Sequence, residues 1–317
     1  MSRSLGNKNR MNAIEDLVGV IPPMITPFGD GDRIDYPALA EEARFLRKSG
    51  VSGMVVGGSM GEGAGMSEQE LAEATRIVVE AIDGILPVLS GVIADTSAEA
   101  IRLSIAAREA GASGLQIPPP HFSFSMDTKI LSEYYRAISE AVGLPLIVYN
   151  VIPWAQAALE SLQELIDGNP SICGVKQSGR NIHTLTALTA TMRGLVRIYS
   201  AIDDMIYPSF LLGVDGTISG TSSIFPRETV EMFRAVRDGN YDDAMALHRR
   251  VTPVWRTIDY PDFPTRAKYA IDLSGRHAGK ARRPFNDLTA SAAHSIESAV
   301  LAAGFGNRAA GIGSELV

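Results

Sequence analysis

The sequence predicts an α/β protein: a (β/α)8 TIM barrel followed by a C-terminal appendage of three helices. Short apolar runs alternate with amphipathic segments from about residue 19 to residue 238. The runs are continuous rather than alternating, as in a parallel sheet that is covered on both faces. Eight strand–helix repeats with short links favour a closed barrel over an open doubly wound sheet.

The predicted strands are the apolar runs bounded by glycine, proline and polar residues. They are residues 19–25, 53–56, 87–91, 114–117, 146–149, 173–176, 196–200 and 216–219. The segments between them have helical periodicity. These helices are predicted at 36–49, 68–82, 98–110, 128–141, 162–167, 182–192 and 205–212, with an eighth that begins near Glu228.

Local signals mark several helix ends. Ser67 and Glu70, and likewise Thr96 and Glu99, have the spacing of a capping box that starts a helix. Glycine follows three of the predicted helices, in the position where a left-handed residue ends a helix. These glycines are residues 50, 111 and 213.

Domain organisation follows from where the strands stop. Residues 1–18 are polar, lack an apolar signal segment, and are predicted to be a loose leader. Residues 19–238 form the predicted barrel. Residues 239–317 form the helical region, with helices at 241–254, 263–273 and 287–303, and no low-complexity linker separates the two parts.

Composition limits the class of protein. The 29 basic and 36 acidic residues give a net charge of −7 and a pI near 5.3, which argues against a nucleic-acid partner or an anionic membrane. No run of 18 apolar residues is present, so no membrane span is expected. The single cysteine, Cys173, lies in an apolar strand and fits a reducing compartment. We therefore expect a soluble cytoplasmic protein.

Lys176 is the most informative residue. It closes the apolar run 172–175, and the chain has only six lysines. A lysine is seldom buried without a partner or a function. Desolvation at a barrel mouth lowers its pKa, and the neutral amine then attacks carbonyl carbons. The alternative is a lysine whose charged end reaches water beyond the strand end.

Two other strand ends carry candidate site residues. A glycine-rich loop, 57–63, follows the second strand, and Ser59 with the loop amides is suited to a carboxylate. A flexible turn is the alternative, and the absence of Gly-Lys-Ser/Thr argues against a phosphate-binding loop. The fifth strand ends at Tyr149, which is either a core aromatic or a proton shuttle. Because barrel active sites lie at the C-terminal strand ends, Ser59, Tyr149 and Lys176 are expected to converge.

With these residues, the chain resembles the dihydrodipicolinate synthase/N-acetylneuraminate lyase family of Schiff-base aldolases over almost its whole length. Six motifs in order and spacing carry the resemblance: Pro23-Met24-Ile25-Thr26-Pro27-Phe28, Gly58-Ser59-Met60-Gly61-Glu62, Tyr149-Asn150-Val151, Gly174-Val175-Lys176, Asp203-Asp204 and Gly216-Thr217-Ile218-Ser219. The resemblance implies that Lys176 forms an imine with pyruvate or another 2-keto acid, and that Tyr149 relays protons. The substrate-binding residues that it implies are Gly58, Ser59, Met60, Ile218, Phe122 and Trp154.

The chain departs from the family pattern at four positions. Met60 and Phe122 stand where the family usually has a hydroxyl, the second one supplied by a tyrosine across a dimer interface. Trp154 replaces the arginine that holds a second carboxylate in dihydrodipicolinate synthases, and Gln177 replaces an acidic residue. Together with Phe124, these aromatics suggest a partner carbonyl that is less charged, bulkier or aromatic, although each of them is equally suited to packing.

The predicted function is a class I lyase or aldolase that acts on pyruvate or a 2-keto acid together with an unknown aldehyde. The alternatives are a 2-keto-3-deoxy sugar acid dehydratase, dihydrodipicolinate synthase itself, which Trp154 disfavours, and a non-catalytic keto-acid-binding relative. The five histidines are scattered without ligand spacing. Since a protonated imine is itself an electron sink, we expect neither a metal nor a cofactor. Family likeness implies a homotetramer built as a dimer of dimers.

Overall fold

The computed structural model describes residues 17–122, 125–179 and 181–305. Eight parallel strands form one curled sheet, and helices alternate with them along the chain. The strands are β1 (Gly19–Val20), β2 (Met54–Val56), β3 (Val88–Gly91), β4 (Gly114–Ile117), β5 (Leu146–Asn150), β6 (Ile172–Gln177), β7 (Arg197–Ser200) and β8 (Gly216–Thr217). The predicted TIM barrel is confirmed.

The barrel closes between the segment after β1 and strand β2. The Met24 N–H donates to the Val55 carbonyl at 2.8 Å, and the Val55 N–H donates to the Pro22 carbonyl at 2.9 Å. β1 is shorter than predicted, since Pro22 and Pro23 have no N–H to donate to a ladder. The closed sheet brings the C-terminal ends of all eight strands to one mouth.

The helices of the barrel follow the predicted order. They are α1 (Tyr36–Lys48), α2 (Glu68–Ala81), α3 (Ser97–Glu109), α4 (Thr128–Val142), α5 (Leu159–Gly168), α6 (Ile182–Met192), α7 (Ile206–Leu211), α8 (Gly220–Ile224) and α9 (Pro226–Arg237). The short helix α8 was not predicted, because its sequence, Gly-Thr-Ser-Ser-Ile, has weak helix propensity. All five of its residues are buried, so tertiary packing decides its conformation.

Local chemistry accounts for the helix ends. Ser67 and Glu70 form both bonds of the predicted capping box. At Thr96 the described contacts include only the bond from the Glu99 N–H to the Thr96 hydroxyl. The three predicted C-terminal glycines have left-handed backbones, with φ of 81°, 94° and 80° at residues 50, 111 and 213.

The C-terminal region contains the three predicted helices. They are α10 (Tyr241–Ile258), α11 (Phe263–Leu273) and α12 (Ala290–Ala302). α10 continues past Pro253 and is longer than predicted, and its buried Trp255 lies at the mouth of the barrel. Of the predicted leader, residues 1–16 lie outside the described residues.

The barrel interior contains an apolar cluster below its mouth. Its side chains are Leu17, Ile21, Val55, Leu89, Ile147, Cys173, Tyr199 and Ile218. A larger apolar layer lies between the strands and the surrounding helices. None of the helices in the described ranges combines the length and the apolar character that crossing a membrane requires.

Candidate active site at the barrel mouth

Lys176 lies near the C-terminal end of β6, between two tyrosines. Its register partners are Tyr149 on β5 and Tyr199 on β7. The strand is buried along its whole length, and Lys176 itself is only 3% exposed. The alternative of a lysine that reaches bulk water is therefore wrong for the isolated chain.

Burial changes the ionisation of this amine. Loss of hydration disfavours the charged form and lowers the pKa of Lys176 to about 7, although the nearby Asp203 carboxylate raises it. A substantial fraction of the amine is consequently neutral at physiological pH. A neutral, buried amine at a barrel mouth has the properties of a carbonyl nucleophile.

Tyr149 is in contact with the same amine. The Lys176 Nζ lies 3.9 Å from the centre of the Tyr149 ring. The Tyr149 hydroxyl is 2.9 Å from the Ser59 hydroxyl, and either oxygen is able to donate. Burial raises the pKa of Tyr149 to about 12, opposed by the hydrogen bond with Ser59. The phenol therefore stays protonated and is able to donate a proton at neutral pH.

The loop after β2 forms a tight turn over the strand ends. The N–H groups of Gly61 and Gly63 both donate to the Gly58 carbonyl at 3.0 Å. A Cβ on Gly63 would lie 1.7 Å from the Gly57 carbonyl oxygen, so no side chain fits there. Within the described hydrogen bonds, the amides of Ser59 and Met60 have no partner in the chain. The turn thus presents two free N–H groups beside the Ser59 hydroxyl, which is a suitable arrangement for an anion.

Asp203 is a site residue to which sequence reasoning gave no role. It follows β7, is half-buried, and its Oδ1 accepts the Thr221 N–H at 2.7 Å. Burial raises the pKa of Asp203 to about 7, while the bonds from Thr221 and the charge of Lys176 oppose the rise. Its position just after a predicted barrel strand is a signal that would have identified it.

These groups line a cavity of about 220 Å³. This volume is below the roughly 300–1,000 Å³ of sites for drug-sized ligands and suits a small substrate. The lining residues on the barrel side are Pro23, Ser59, Met60, Tyr149, Val151, Lys176, Ser178, Ala201, Asp203, Ile218, Ser219 and Gly220. Trp255 and Asp259 of the α10 segment and Phe263 of α11 complete the wall, and the sequence pattern gave no indication of these three.

Phe122 and Trp154 lie elsewhere. In the part of the chain that the structure describes, neither lines the cavity around Lys176. They are 76% and 63% exposed, and the Trp154 indole N–H donates to the His121 carbonyl at 2.8 Å. Gly58 is buried under the turn, and Phe124 lies outside the described residues. The structure thus brings Ser59, Met60, Tyr149, Lys176 and Ile218 together and leaves the two aromatics on the outer surface.

Gln177 connects the site strands to the loop that carries Trp154. Its Oε1 accepts a hydrogen bond of 2.8 Å from the Asn150 amide. Asn150 also accepts the Ala157 N–H at 2.8 Å and donates to the Ala157 carbonyl at 3.1 Å. An acidic residue in place of Gln177 would bury a charge at this position. With glutamine there, two neutral side-chain amides, those of Gln177 and Asn150, form the hydrogen bond instead.

The sequence profile of the dihydrodipicolinate synthetase family matches residues 16–303. Among similar proteins, 4-hydroxy-tetrahydrodipicolinate synthase of Methanosphaerula palustris is 32% identical over 276 residues, 86% of this chain and 94% of that protein. The corresponding enzyme of Archaeoglobus fulgidus is 30% identical over 274 residues, 86% and 93% of the two chains.

Solved structures of similar proteins also superpose on this chain. The E. coli K12 prophage protein YagE, of the dihydrodipicolinic acid synthase family and in complex with pyruvate, superposes with a TM-score of 0.86 at 26% identity, over 91% of this chain and 99% of that one. Dihydrodipicolinate synthase from Acinetobacter baumannii, also complexed with pyruvate, gives 0.86 at 25% identity with the same coverage. Since the family profile spans nearly every described residue, the chain belongs to the dihydrodipicolinate synthetase family and is a class I, pyruvate-dependent carbon–carbon lyase.

Proposed function

We propose that Lys176 is the residue that forms the imine and that the substrate is pyruvate or a close 2-keto acid. The observation that carries this proposal is the buried amine of Lys176, whose pKa falls to about 7 at the end of a central strand. The neutral amine attacks the keto carbon, and loss of water leaves a protonated imine. This imine withdraws electrons from the adjacent carbon, whose proton is then lost to give an enamine. The enamine attacks an aldehyde carbon, hydrolysis returns the free amine, and cleavage is the reverse sequence.

The proposed carboxylate site is the turn after β2. The Ser59 hydroxyl and the amides of Ser59 and Met60 bind the carboxylate of the keto acid next to its keto carbon, with Gly58 supplying the close backbone approach. The backbone of Ile218, at the end of β8, lies beside the lysine in this arrangement. Met60 contributes an apolar wall where the family resemblance implies a hydroxyl.

Tyr149 is the proposed proton relay. Its ring contacts the amine of Lys176 and its hydroxyl bonds to Ser59. The phenol is therefore adjacent to both the imine nitrogen and the bound carboxylate, where it is able to exchange protons with the carbinolamine and with the aldehyde oxygen.

The aldehyde partner is expected to lack a carboxylate. Asp203 and Asp259 line the cavity, and its described lining contains no arginine. A second substrate carboxylate would face these acidic groups without a bidentate partner. This disfavours aspartate semialdehyde, and therefore dihydrodipicolinate synthesis. Trp255 and Phe263, rather than Trp154 and Phe122, supply the apolar surface within the chain's own cavity.

Dehydration of a 2-keto-3-deoxy sugar acid is the second candidate. It uses the same imine, and the hydroxyl and carboxylate groups of Ser178, Ser219 and Asp203 in the cavity favour a hydroxylated substrate. A non-catalytic keto-acid sensor is not retained, because the chain belongs to a family of lyases.

Assembly and location complete the proposal. The barrel, residues 19–238, carries the chemistry, and three residues of the C-terminal region, Trp255, Asp259 and Phe263, complete one wall of the cavity. A homotetramer, built as a dimer of dimers in which Phe122 lies at the tight interface, follows from the family likeness and from the exposure of this side chain. The reduced, buried Cys173 fits a cytoplasmic location.

Reduction with borohydride in the presence of pyruvate tests the proposal. Intact mass and peptide mapping should find one reduced pyruvate adduct, on Lys176, and Lys176→Met should abolish it while the fold is kept. An adduct on a different lysine, or none across a panel of 2-keto acids, would sink the assignment. Release of pyruvate from candidate aldols and water loss from sugar acids, measured on one substrate panel, separate the lyase from the dehydratase.

A further inference from the structure

Glu62 has an unusual backbone in the turn that forms the proposed carboxylate site. Its φ of 56° and ψ of 34° are left-handed, a conformation that is unfavourable for a residue with a side chain. Its N–H donates to the Ser59 carbonyl at 3.1 Å. The backbone of Glu62 is therefore bonded directly to that of Ser59.

The Glu62 side chain is held by groups from outside the turn. Lys268 of α11 is 2% exposed, and its Nζ donates to Glu62 Oε1, the Thr26 carbonyl and the Lys280 carbonyl, each at 2.6 Å. The second carboxylate oxygen of Glu62 accepts a hydrogen bond from the backbone N–H of Arg282 at 2.8 Å. All three donors of the ammonium group and both oxygens of the carboxylate have partners.

A buried ion pair is a poor source of stability by itself, because desolvation cancels most of the attraction. The pair does constrain the geometry, because removing one side chain leaves the charge of the other buried and uncompensated. This pair connects the C-terminal region to the turn, and the turn connects to Tyr149 through the Ser59 hydroxyl. One continuous set of bonds thus runs from α11 to the proposed proton relay.

We propose that the Lys268–Glu62 pair is a positioning device that fixes the turn after β2 so that Ser59 and the neighbouring amides bind the keto-acid carboxylate. This inference rests on the proposed function, because it assigns the support of the same site. Glu62 and Lys268 are positioning residues rather than reacting groups, because they act through Ser59. Loss of the pair should weaken binding of pyruvate more than it slows the steps after binding.

The chain offers a matched control in a second buried ion pair. Arg276 Nη1 donates to Glu42 Oε1 at 2.9 Å, with the two side chains 6% and 2% exposed. This pair also connects the C-terminal region to the barrel, through α1 rather than through the turn. Neutralising Glu42 therefore reproduces the cost of a broken buried pair without reaching Ser59.

The experiment compares Glu62→Gln with Glu42→Gln. Pyruvate affinity is measured by titration calorimetry, and the half-saturating pyruvate concentration and maximal rate by borohydride trapping. Glu62→Gln should weaken both measures of affinity about tenfold to a hundredfold, in the range of a catalytic group displaced by about an ångström. Its maximal rate should fall less, and Glu42→Gln should bind pyruvate as the wild type does although its melting temperature falls.

A second variant covers the case in which Glu62→Gln does not fold. The double variant Glu62→Gln/Lys268→Met removes both charges, leaves no unpaired ion, and should show the same loss of pyruvate affinity. Wild-type affinity in either variant, or an equal loss in Glu42→Gln, overturns the inference. If wild-type protein binds pyruvate by calorimetry but gives no adduct, the imine assignment fails while the affinity comparison still decides the role of the pair. A wild type that binds no pyruvate overturns both.

Discussion

The amine of Lys176 lies 3.9 Å from the centre of the Tyr149 ring, and the two residues are register partners on neighbouring strands. The ring face attracts the protonated amine and, by the same electrostatics, a protonated imine. While the Tyr149 ring contacts the amine, its hydroxyl remains available for hydrogen bonding and lies 2.9 Å from the Ser59 hydroxyl. One side chain therefore touches the nucleophile with its face and the proposed carboxylate site with its oxygen.

The pH dependence of imine formation follows from the pKa of Lys176. The amine is mostly protonated below pH 7 and mostly neutral above it, because burial lowers its pKa to about 7. At low pyruvate, the initial trapping rate should rise with pH up to about 7 and level off above it. Measurement of this rate from pH 5.5 to 9 checks the profile. A rate that keeps rising to pH 9 would mean that the reacting amine has an ordinary lysine pKa.

Asp203 should set the position of that midpoint. Its negative charge favours the protonated amine and raises the pKa of Lys176. Asp203→Asn removes the charge and should move the midpoint of the trapping profile to lower pH. Asp204→Asn is the matched control, because the charge of Asp204 acts on His248. Equal midpoints in the two variants would remove Asp203 from the electrostatics of the site.

Tyr149→Phe should lower turnover by about 10²-fold or more, the usual contribution of a general acid–base group. The variant keeps the ring against Lys176 and removes the oxygen bonded to Ser59. Tyr135→Phe is the control, since this buried tyrosine donates to the Ile117 carbonyl at 3.0 Å and lies outside the cavity. Steady-state assays on both variants, with melting temperatures, separate loss of a relay from loss of a buried hydrogen bond. Full activity in Tyr149→Phe would leave Tyr149 as a packing residue.

Local sequence patterns were sufficient for the strands and for the neighbouring positions of Tyr149 and Lys176. Each strand is a short apolar run between breaking residues, and consecutive strands in a barrel are neighbours, so the ends of β5 and β6 had to meet. Helix α8 could not be predicted, because its conformation depends on burial rather than on propensity.

The far wall of the cavity could not be predicted for a different reason. Trp255 and Phe263 belong to helices that are distant in sequence from the strand ends, and helical periodicity does not say which barrel face a C-terminal helix covers. Phe122 and Trp154 were placed by resemblance to a site that includes a neighbouring subunit. In a single chain their side chains point to solvent, as their exposure shows.

The chain should condense pyruvate with aspartate semialdehyde poorly, because the described lining of the cavity around Lys176 includes Asp203 and Asp259 but no arginine. A second carboxylate would face these acidic groups without the two parallel hydrogen bonds that an arginine donates. Since Trp154 is 63% exposed and lies outside that lining, Trp154→Arg should leave kcat/KM for aspartate semialdehyde unchanged. Efficient condensation by the wild type would show that another group holds the second carboxylate.

The last prediction concerns assembly, and it depends on how Phe122 is held. The N–H groups of His121 and Phe122 donate to Asp95 Oδ1 at 2.6 and 2.8 Å, and Trp154 bonds to the His121 carbonyl. The loop therefore presents an ordered pair of aromatic side chains to solvent. Exposed aromatics on an ordered backbone are typical of the centre of a protein–protein interface.

Light scattering should accordingly give a dimer or a tetramer for the wild type. Phe122→Glu should shift it towards monomer, because a charge would be buried without a partner at the interface. Ile85→Glu, at a hydrophobic residue that is also exposed but lies elsewhere, should leave the assembly unchanged. Phe122→Tyr should keep the assembly and change the rate only modestly, since Ser59 and Tyr149 already form their bond within one chain. A wild type that is monomeric in solution would contradict the proposed role of Phe122 at an interface.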